Sequence, residues 1–202
     1  MGKELEYKLA VPSETLLEEI LFDKTVAEVR QGNYRLLDMA TVYYDTPSEA
    51  LSKLQWTLRL RQENNELIAT VKTPAGEDHA RGEWSCPAYS IEAAIEPLVK
   101  QGAPRELLAL TDKEPLAPLC LARFTRRAAD LHFADGTVCE LAGDIGELLA
   151  GENSEPLCEV EVELKQGDGE TAKAFAEELM ERFSLVEEPK SKFVRARELR
   201  NK

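Results

Sequence analysis

The sequence predicts an α+β fold in which a large antiparallel sheet is covered by amphipathic helices. Charged and apolar residues alternate in strand-like segments, turn-forming sequences separate several of these, and other segments carry apolar residues at helical spacing. The predicted strands lie near 3–10, 40–45, 56–63, 66–74, 81–89, 120–133, 137–143 and 157–165, with a shorter one near 191–197. The predicted helices lie near 13–22, 90–101, 104–111 and 170–184.

Local signals support these elements. The segments 64–65, 74–78 and 134–136 are rich in Asn, Asp, Gly and Pro, which favour tight turns, so they predict β-hairpins. Ser13 and Ser90 stand where N-caps are expected before the first two helical patterns.

The chain has 202 residues and a formal net charge of −13, which suits a single domain over residues 1–202 with an acidic surface. Such a surface disfavours nucleic acid and anionic membranes as partners, because both are negatively charged. No apolar run reaches the ~20 residues of a membrane-spanning helix, and the charged N-terminal segment lacks the apolar stretch of a signal peptide. We therefore expect a cytoplasmic protein whose four dispersed cysteines are buried thiols rather than zinc ligands.

Within the predicted strands, the charges separate by sign from strand to strand. A solvated sheet face also alternates charged and apolar residues, but it usually mixes both signs. Here acidic residues share one face of two strands, and basic residues share one face of two others. The residues concerned are Glu4, Glu6, Glu159, Glu161 and Glu163 on the acidic strands, and Arg59, Arg61 and Lys72 on the basic strands.

Eight strands are enough to close a sheet around a small lumen. If the sheet closes with its charged face inward, the apolar face must be covered by the helices, and the result would be a closed β-barrel with a charged tunnel within. Clustered carboxylates suit a hard divalent cation, Mg²⁺ or Mn²⁺, and paired guanidinium groups suit phosphate oxygens. One acidic wall and one basic wall therefore fit a metal-complexed polyphosphate and phosphoryl transfer.

An ordered set of short motifs along nearly the whole chain resembles the CYTH family, also called triphosphate tunnel metalloenzymes. The set begins with Glu4-x-Glu6-x-Lys8. Its other members are Tyr43-Tyr44-Asp45-Thr46-Pro47, Leu58-Arg59-Leu60-Arg61, Lys72, Glu83, Arg126, Cys158-Glu159-Val160-Glu161 and Ser191-Lys192. The first motif alone is common on acidic strands, whereas the ordered set is specific. The resemblance implies an eight-stranded antiparallel closed β-barrel with helices packed outside and a triphosphate tunnel through it.

The resemblance also implies a role for each matched residue. The expected metal ligands are Glu4, Glu6, Glu159, Glu161 and one carboxylate near residue 140, for which Glu140 and Asp144 both have the right parity. The expected triphosphate ligands are Lys8, Arg59, Arg61, Lys72, Arg126 and Lys192, with Glu83 orienting the basic groups. Tyr43 and Lys72 are expected to help activate the attacking water, although a core role fits Tyr43 equally well. Arg123 and Arg127 compete with Arg126 for its position.

Inorganic triphosphatases, thiamine triphosphatases and class IV adenylyl cyclases share this family. The motifs most resemble the bacterial triphosphatase branch, so we expect hydrolysis of a small-molecule triphosphate, inorganic tripolyphosphate. Members of that branch often carry a C-terminal helical CHAD domain, which is not expected within these residues. The alternatives are a cyclase, a thiamine triphosphatase, or a non-catalytic module that binds polyphosphate or a nucleotide. The oligomeric state stays open, with a homodimer as one option.

Overall fold

The computed structural model describes residues 5–75 and 81–201, and its largest element is one antiparallel sheet. The strands are β1 (Glu6–Ala10), β2 (Arg30–Asp45), β3 (Thr57–Glu63), β4 (Glu66–Ala75), β5 (Arg81–Pro87), β6 (Ala117–His132), β7 (Val138–Ala150), β8 (Asn153–Gln166) and β9 (Val186–Glu187). The helices are α1 (Glu14–Leu21), α2 (Lys24–Val29), α3 (Ala50–Lys53), α4 (Ile91–Lys100), α5 (Glu106–Lys113), α6 (Gly169–Phe183) and α7 (Lys192–Glu198). None of these helices is long and apolar enough to cross a bilayer.

The strands are hydrogen-bonded in the order β5-β4-β3-β2-β6-β7-β8-β1-β9, and the α+β class is as predicted. The predicted eight-stranded closed β-barrel is wrong in two respects: the sheet has nine strands and is not closed, with β5 and β9 as its edges among the described residues. The additional strand, β9, pairs with Leu9 and Ala10 of β1. Because β9 uses the outer backbone groups of β1 there, these groups are not available to β5.

Six helices cover one face of the sheet and bury its apolar side chains in two cores. Under α1, α2 and α6, the core includes Ile20, Val160 and Leu179, which are fully buried. Under α3, α4 and α5, the second core includes Leu58 and Leu98. Since side chains alternate along a strand, the residues between these apolar positions point to the opposite face.

On that opposite face lies α7. Its Ala196 shares a buried apolar cluster with Met39, Leu148 and Leu157 of the sheet. The predicted strand at 191–197 is therefore wrong. A helix forms instead because the Ser191 hydroxyl accepts a hydrogen bond from the backbone N–H of Val194, which caps its first turn.

The hairpin predictions at 64–65 and 134–136 are confirmed, since these segments join β3 to β4 and β6 to β7. The predicted turn at 74–78 lies partly outside the described residues. The predicted N-caps are also confirmed: the Ser13 and Ser90 hydroxyls accept hydrogen bonds from the first turns of α1 and α4.

At the end of β2, the buried carboxylate of Asp45 organises the connection to α3. Oδ1 accepts hydrogen bonds from the backbone N–H groups of Thr46 at 2.8 Å and Leu51 at 2.9 Å, and Oδ2 accepts one from Ser52 at 2.9 Å. Asp45 is only 2% exposed. This motif residue therefore fixes the backbone next to the site rather than acting within it.

We expect Asp45→Ala to lower the free energy of unfolding by about 3 kcal/mol, because three backbone N–H groups lose an acceptor at about 1 kcal/mol each. Urea unfolding measures the change. Asp112→Ala, at an exposed position of α5, is the matched control and should have little effect. Equal midpoints for the two variants would contradict the role assigned to Asp45.

Candidate active site on the charged face

Strand register builds a face on which acidic and basic side chains meet, and we call it the charged face. It lies opposite the face covered by α1 to α6 and carries Lys8, Tyr43, Arg59, Arg61, Lys72, Arg126, Asp144, Glu159 and Glu161. Glu159 of β8 pairs with Asp144 of β7, which pairs with Arg126 of β6. Residues directly opposite each other in a sheet point to the same side, so this row is contiguous.

Three carboxylates converge on this face: Asp144, Glu159 and Glu161. We call them the carboxylate cluster, because one oxygen from each lies within 4.8 Å of the other two. Asp144 and Glu159 are fully buried, and Glu161 is 8% exposed. Carboxylates this close repel one another and need a cation to remain ionised.

Lys192 of α7 supplies a cation at the centre of the carboxylate cluster. Its Nζ lies 2.7 Å from Asp144 Oδ2, 2.5 Å from Glu159 Oε1 and 2.7 Å from Glu161 Oε1. Burial lowers the pKa of Lys192, but the three carboxylates outweigh burial and raise it above its usual range. The ammonium is therefore charged and fully paired with carboxylate oxygens.

Two arginines complete the neutralisation from the sides. Arg126 donates to Asp144 through Nε and Nη2, both at 2.7 Å, and Nη2 also donates to Glu161. Arg195 Nη1 donates to Glu159 Oε2 at 2.7 Å. Burial raises the pKa of Glu159, whereas for Glu161 the nearby Lys192 and Arg126 outweigh burial and lower the pKa.

The basic part of the charged face, on β3, has fewer partners. Arg61 Nε donates to Thr41 Oγ1 at 3.0 Å, whereas the buried Nε of Arg59 has no hydrogen-bond acceptor among the described residues. Burial and the neighbouring charge of Arg59 lower the pKa of Arg61 to about 10. Two half-buried guanidinium groups in this state are suited to bind an anion.

Lys72 and Tyr43 are held in place by neighbours. Lys72 Nζ of β4 lies 2.9 Å from Glu83 Oε2 of β5. Tyr43 is 3% exposed, and its ring packs against that of Phe193 in α7, with centroids 5.1 Å apart. The burial of Tyr43 and its packing agree with a core role. The residue also lies on the charged face, which a catalytic role would require.

Two alternatives left by the sequence are separated by position. Asp144 belongs to the carboxylate cluster, whereas Glu140 lies further along β7 and pairs with Arg35 at 2.6 Å. Both side chains have the same parity, so only the fold distinguishes them.

For the arginines of β6, the strand face decides. Arg126 reaches the carboxylate cluster, whereas Arg127 pairs with Glu18 of α1 on the helix-covered face. Arg123 has the parity of Arg127 and is exposed. Of the three, Arg126 is therefore the residue on the charged face.

Glu6 of the first strand lies apart from the carboxylate cluster. Glu4 lies outside the described residues. Glu6 is exposed and stands opposite Glu163 of β8, while Lys8 stands opposite Glu161. The structure therefore places Lys8 beside the cluster and Glu6 toward one end of the charged face.

Arg195 belongs to the site although it is not among the site residues predicted from the sequence. Its three-residue spacing from Lys192 places both residues on one face of a helix, but the signal is visible only if 191–197 is known to be helical. Its pairing with Glu159 anchors α7 to the carboxylate cluster.

The carboxylate cluster fits a hard divalent cation. Carboxylate oxygens from two strands converge around a point where the ammonium of Lys192 already stands. Mg²⁺ and Mn²⁺ both prefer oxygen ligands of this kind. Asp144, Glu159 and Glu161 are the residues that would hold such an ion.

Comparison with known proteins gives a family and a relative. The family model described as "CYTH domain" matches residues 2–196. An inorganic triphosphatase from Haemophilus influenzae is 31% identical over 184 residues, which cover 89% of this chain and 50% of that protein. The chain therefore spans about half the length of this curated relative.

Solved structures show the same fold at low sequence identity. A protein from Hippeastrum, named as a candidate adenylyl cyclase with a dominant triphosphatase activity, is 18% identical with a TM-score of 0.58, covering 96% of this chain and 95% of its own. A candidate adenylate cyclase from Bacillus halodurans is 18% identical with a TM-score of 0.54, covering 94% and 96% respectively. These likenesses establish the fold of the chain.

We expect Arg61→Met to raise the free energy of unfolding by about 1 kcal/mol in buffer without phosphate, because it removes a half-buried charge next to Arg59. The pKa of Arg61 in the folded protein, about 10, is lower than its usual value, which agrees with this expectation. Keeping the guanidinium charged at pH 7 therefore lowers the free energy of unfolding, and this loss becomes smaller as the pH rises through 10. Urea unfolding at pH 7 measures the difference. Arg123→Met, at an exposed arginine, is the control, and a destabilised Arg61→Met protein would contradict the argument.

Proposed function

The chain belongs to the CYTH domain family, and on that basis we propose that it is a metal-dependent triphosphatase that hydrolyses inorganic tripolyphosphate to phosphate and diphosphate. The observation that carries the proposal is the charged face, where a carboxylate cluster stands beside half-buried arginines. Such an arrangement can hold a cation and a polyanion side by side. The relative named inorganic triphosphatase supports the choice of substrate.

The proposed metal ligands are Asp144, Glu159 and Glu161 in the carboxylate cluster, together with Glu6, toward one end of the charged face, and Glu4. Mg²⁺ or Mn²⁺ held there would neutralise charge on phosphate oxygens and favour ionisation of a bound water. Glu140 is the weaker candidate for this role, because Arg35 pairs with it away from the cluster.

The proposed substrate ligands are the basic residues of the charged face. The guanidinium groups of Arg59 and Arg61 would donate paired hydrogen bonds to phosphate oxygens, since Arg59 Nε has no acceptor of its own among the described residues. Lys8, Arg126 and Lys192 would bind the remaining oxygens from the acidic side. The negative charge of the substrate would offset the repulsion between the two arginines.

Activation of the attacking water is proposed for Lys72 and Tyr43. Glu83, 2.9 Å from Lys72 Nζ, would orient that side chain toward the substrate and the attacking water. Tyr43 offers a hydroxyl on the strand next to Arg59, its partner in register. Its ring is immobilised by Phe193, so the hydroxyl would be pre-positioned.

We further propose that a single domain over residues 1–202 acts on a small-molecule triphosphate in the cytoplasm, as a monomer or a homodimer. Its net charge of −13 argues against nucleic acid or an anionic membrane as a partner.

The deciding experiment is phosphate release from tripolyphosphate, ATP and thiamine triphosphate, each with Mg²⁺, Mn²⁺ or a chelator. The proposal requires metal-dependent release with tripolyphosphate as the preferred substrate. Cyclic AMP formed from ATP without tripolyphosphate hydrolysis would identify a cyclase. Binding of tripolyphosphate without turnover of any of these substrates would identify a binding module.

We expect Glu6→Gln to lower turnover of tripolyphosphate by roughly 10- to 100-fold, because it removes a proposed metal ligand, while the melting temperature changes little, because Glu6 is exposed. Glu187→Gln, at an exposed glutamate of neighbouring β9, is the matched control. An unfolded Glu6→Gln protein, or one with full activity, would count against the metal-binding role of Glu6.

A further inference from the structure

Lys192 occupies the position that a metal ion would need. Its Nζ is 2.5 to 2.7 Å from one oxygen of each member of the carboxylate cluster. Mg²⁺ binds carboxylate oxygens at about 2.1 Å, so it would require the same central volume after a small contraction of the ligands. The ammonium and a metal ion therefore exclude each other at this point.

The charge balance leads to the same conclusion. Three paired cations match the three buried carboxylates: Lys192, Arg126 and Arg195. Arg195 also lies 3.5 Å from Glu155 and 3.8 Å from Glu188, which are only half-buried and stand outside this buried set. A divalent ion added to this neutral and buried set would leave two uncompensated positive charges, which is costly in a low-dielectric interior. Departure of the Lys192 ammonium would reduce the excess to one positive charge. The proposed polyanion site lies next to the cluster, so the substrate could offset this remaining charge.

The body of α7 is anchored independently of Lys192. Ala196 and Leu199 are buried against the sheet, and Arg197 and Arg200 of the C-terminal segment both pair with Glu49, which precedes α3. The Ser191 cap holds the first turn. Four methylene groups separate the Lys192 ammonium from this fixed backbone, so the side chain can leave the cluster while the helix stays in place.

We propose that Lys192 is a stand-in cation: its ammonium fills the carboxylate cluster without metal, and metal binding displaces it toward the triphosphate. This inference rests on the proposed function, since it assigns the displaced ammonium to that substrate. One lysine would then neutralise the carboxylates in the empty enzyme and the phosphate oxygens in the loaded one. Metal binding and substrate binding would be coupled through this side chain.

The first test is metal affinity without substrate. Lys192→Met keeps the length of the side chain but removes the competing charge. Mn²⁺ affinity should therefore tighten by at least about tenfold, because the metal no longer has to displace an ammonium from the carboxylates. Lys190→Met, at an exposed lysine paired with Glu198, is the matched control and should bind Mn²⁺ like the unmodified protein. The populations of free and bound Mn²⁺ are measured by electron paramagnetic resonance. Unchanged or weaker affinity in Lys192→Met would overturn the proposal.

A second test uses the unmodified protein and does not depend on the folding of the variant. Amine-reactive labelling followed by mass spectrometry reports the accessibility of Lys192, and hydrogen–deuterium exchange reports the stability of α7. Saturating Mg²⁺ alone should increase labelling of Lys192 at least about tenfold while exchange in α7 stays slow, because only the side chain moves. A lysine that stays protected at saturating metal, or a helix that exchanges faster, would refute this mechanism.

These outcomes are separate from those of the proposed function. If the protein binds metal and hydrolyses tripolyphosphate while Lys192 stays protected, the proposed function is supported and displacement of Lys192 by metal is overturned. If the Lys192→Met variant gains Mn²⁺ affinity but the unmodified protein hydrolyses no triphosphate, displacement of Lys192 by metal is supported and the proposed triphosphatase function is overturned. Absence of metal binding in both forms would overturn both.

Discussion

Three carboxylates brought together inside the protein are the constraint on which the rest of this structure depends. Asp144 and Glu159 are fully buried on adjacent strands, with Glu161 two residues further along β8. Their mutual repulsion has to be offset by cations delivered to the same place. This explains why α7 lies on the charged face while the other six helices cover the opposite one. The apolar patch around Leu148 provides its packing surface, and Lys192 provides the charge.

The arrangement of residues on strands could be predicted because side-chain alternation is a local property. Glu159 and Glu161 share a face with Arg59 and Arg61 as expected, since a two-residue period needs no knowledge of the fold. The same reasoning predicted the hairpin turns, which depend on a few adjacent residues. Alternation alone cannot distinguish Glu140 from Asp144, because both side chains point to the same face. They differ in their cross-strand neighbours, since Asp144 pairs with Glu159 and Glu140 pairs with Glu163.

What could not be predicted depends on contacts between distant segments. The alternation of charged and apolar residues at 192–198 fits a strand as well as a helix. The segment is helical in the structure, where it packs on the sheet. Closure of the sheet was expected from the number of strands, but strand number does not determine which edges meet, and β9 takes the edge of β1. The partners of Lys192 likewise follow from the position of α7, which its own sequence does not specify.

The pairing of β1 has a consequence for how the chain acquires its native state. Glu6 is in register with Glu163, and Leu9 with Glu187, so β1 finds its partners only after the residues of β8 and β9 have been synthesised. Contacts so distant in sequence carry a high loop-closure entropy and slow the folding reaction. Until then the apolar side of β1 has no core to join, and the nascent chain exposes it to aggregation or to chaperones. The position of Lys8 beside the carboxylate cluster therefore depends on a pairing between segments that are far apart in the sequence.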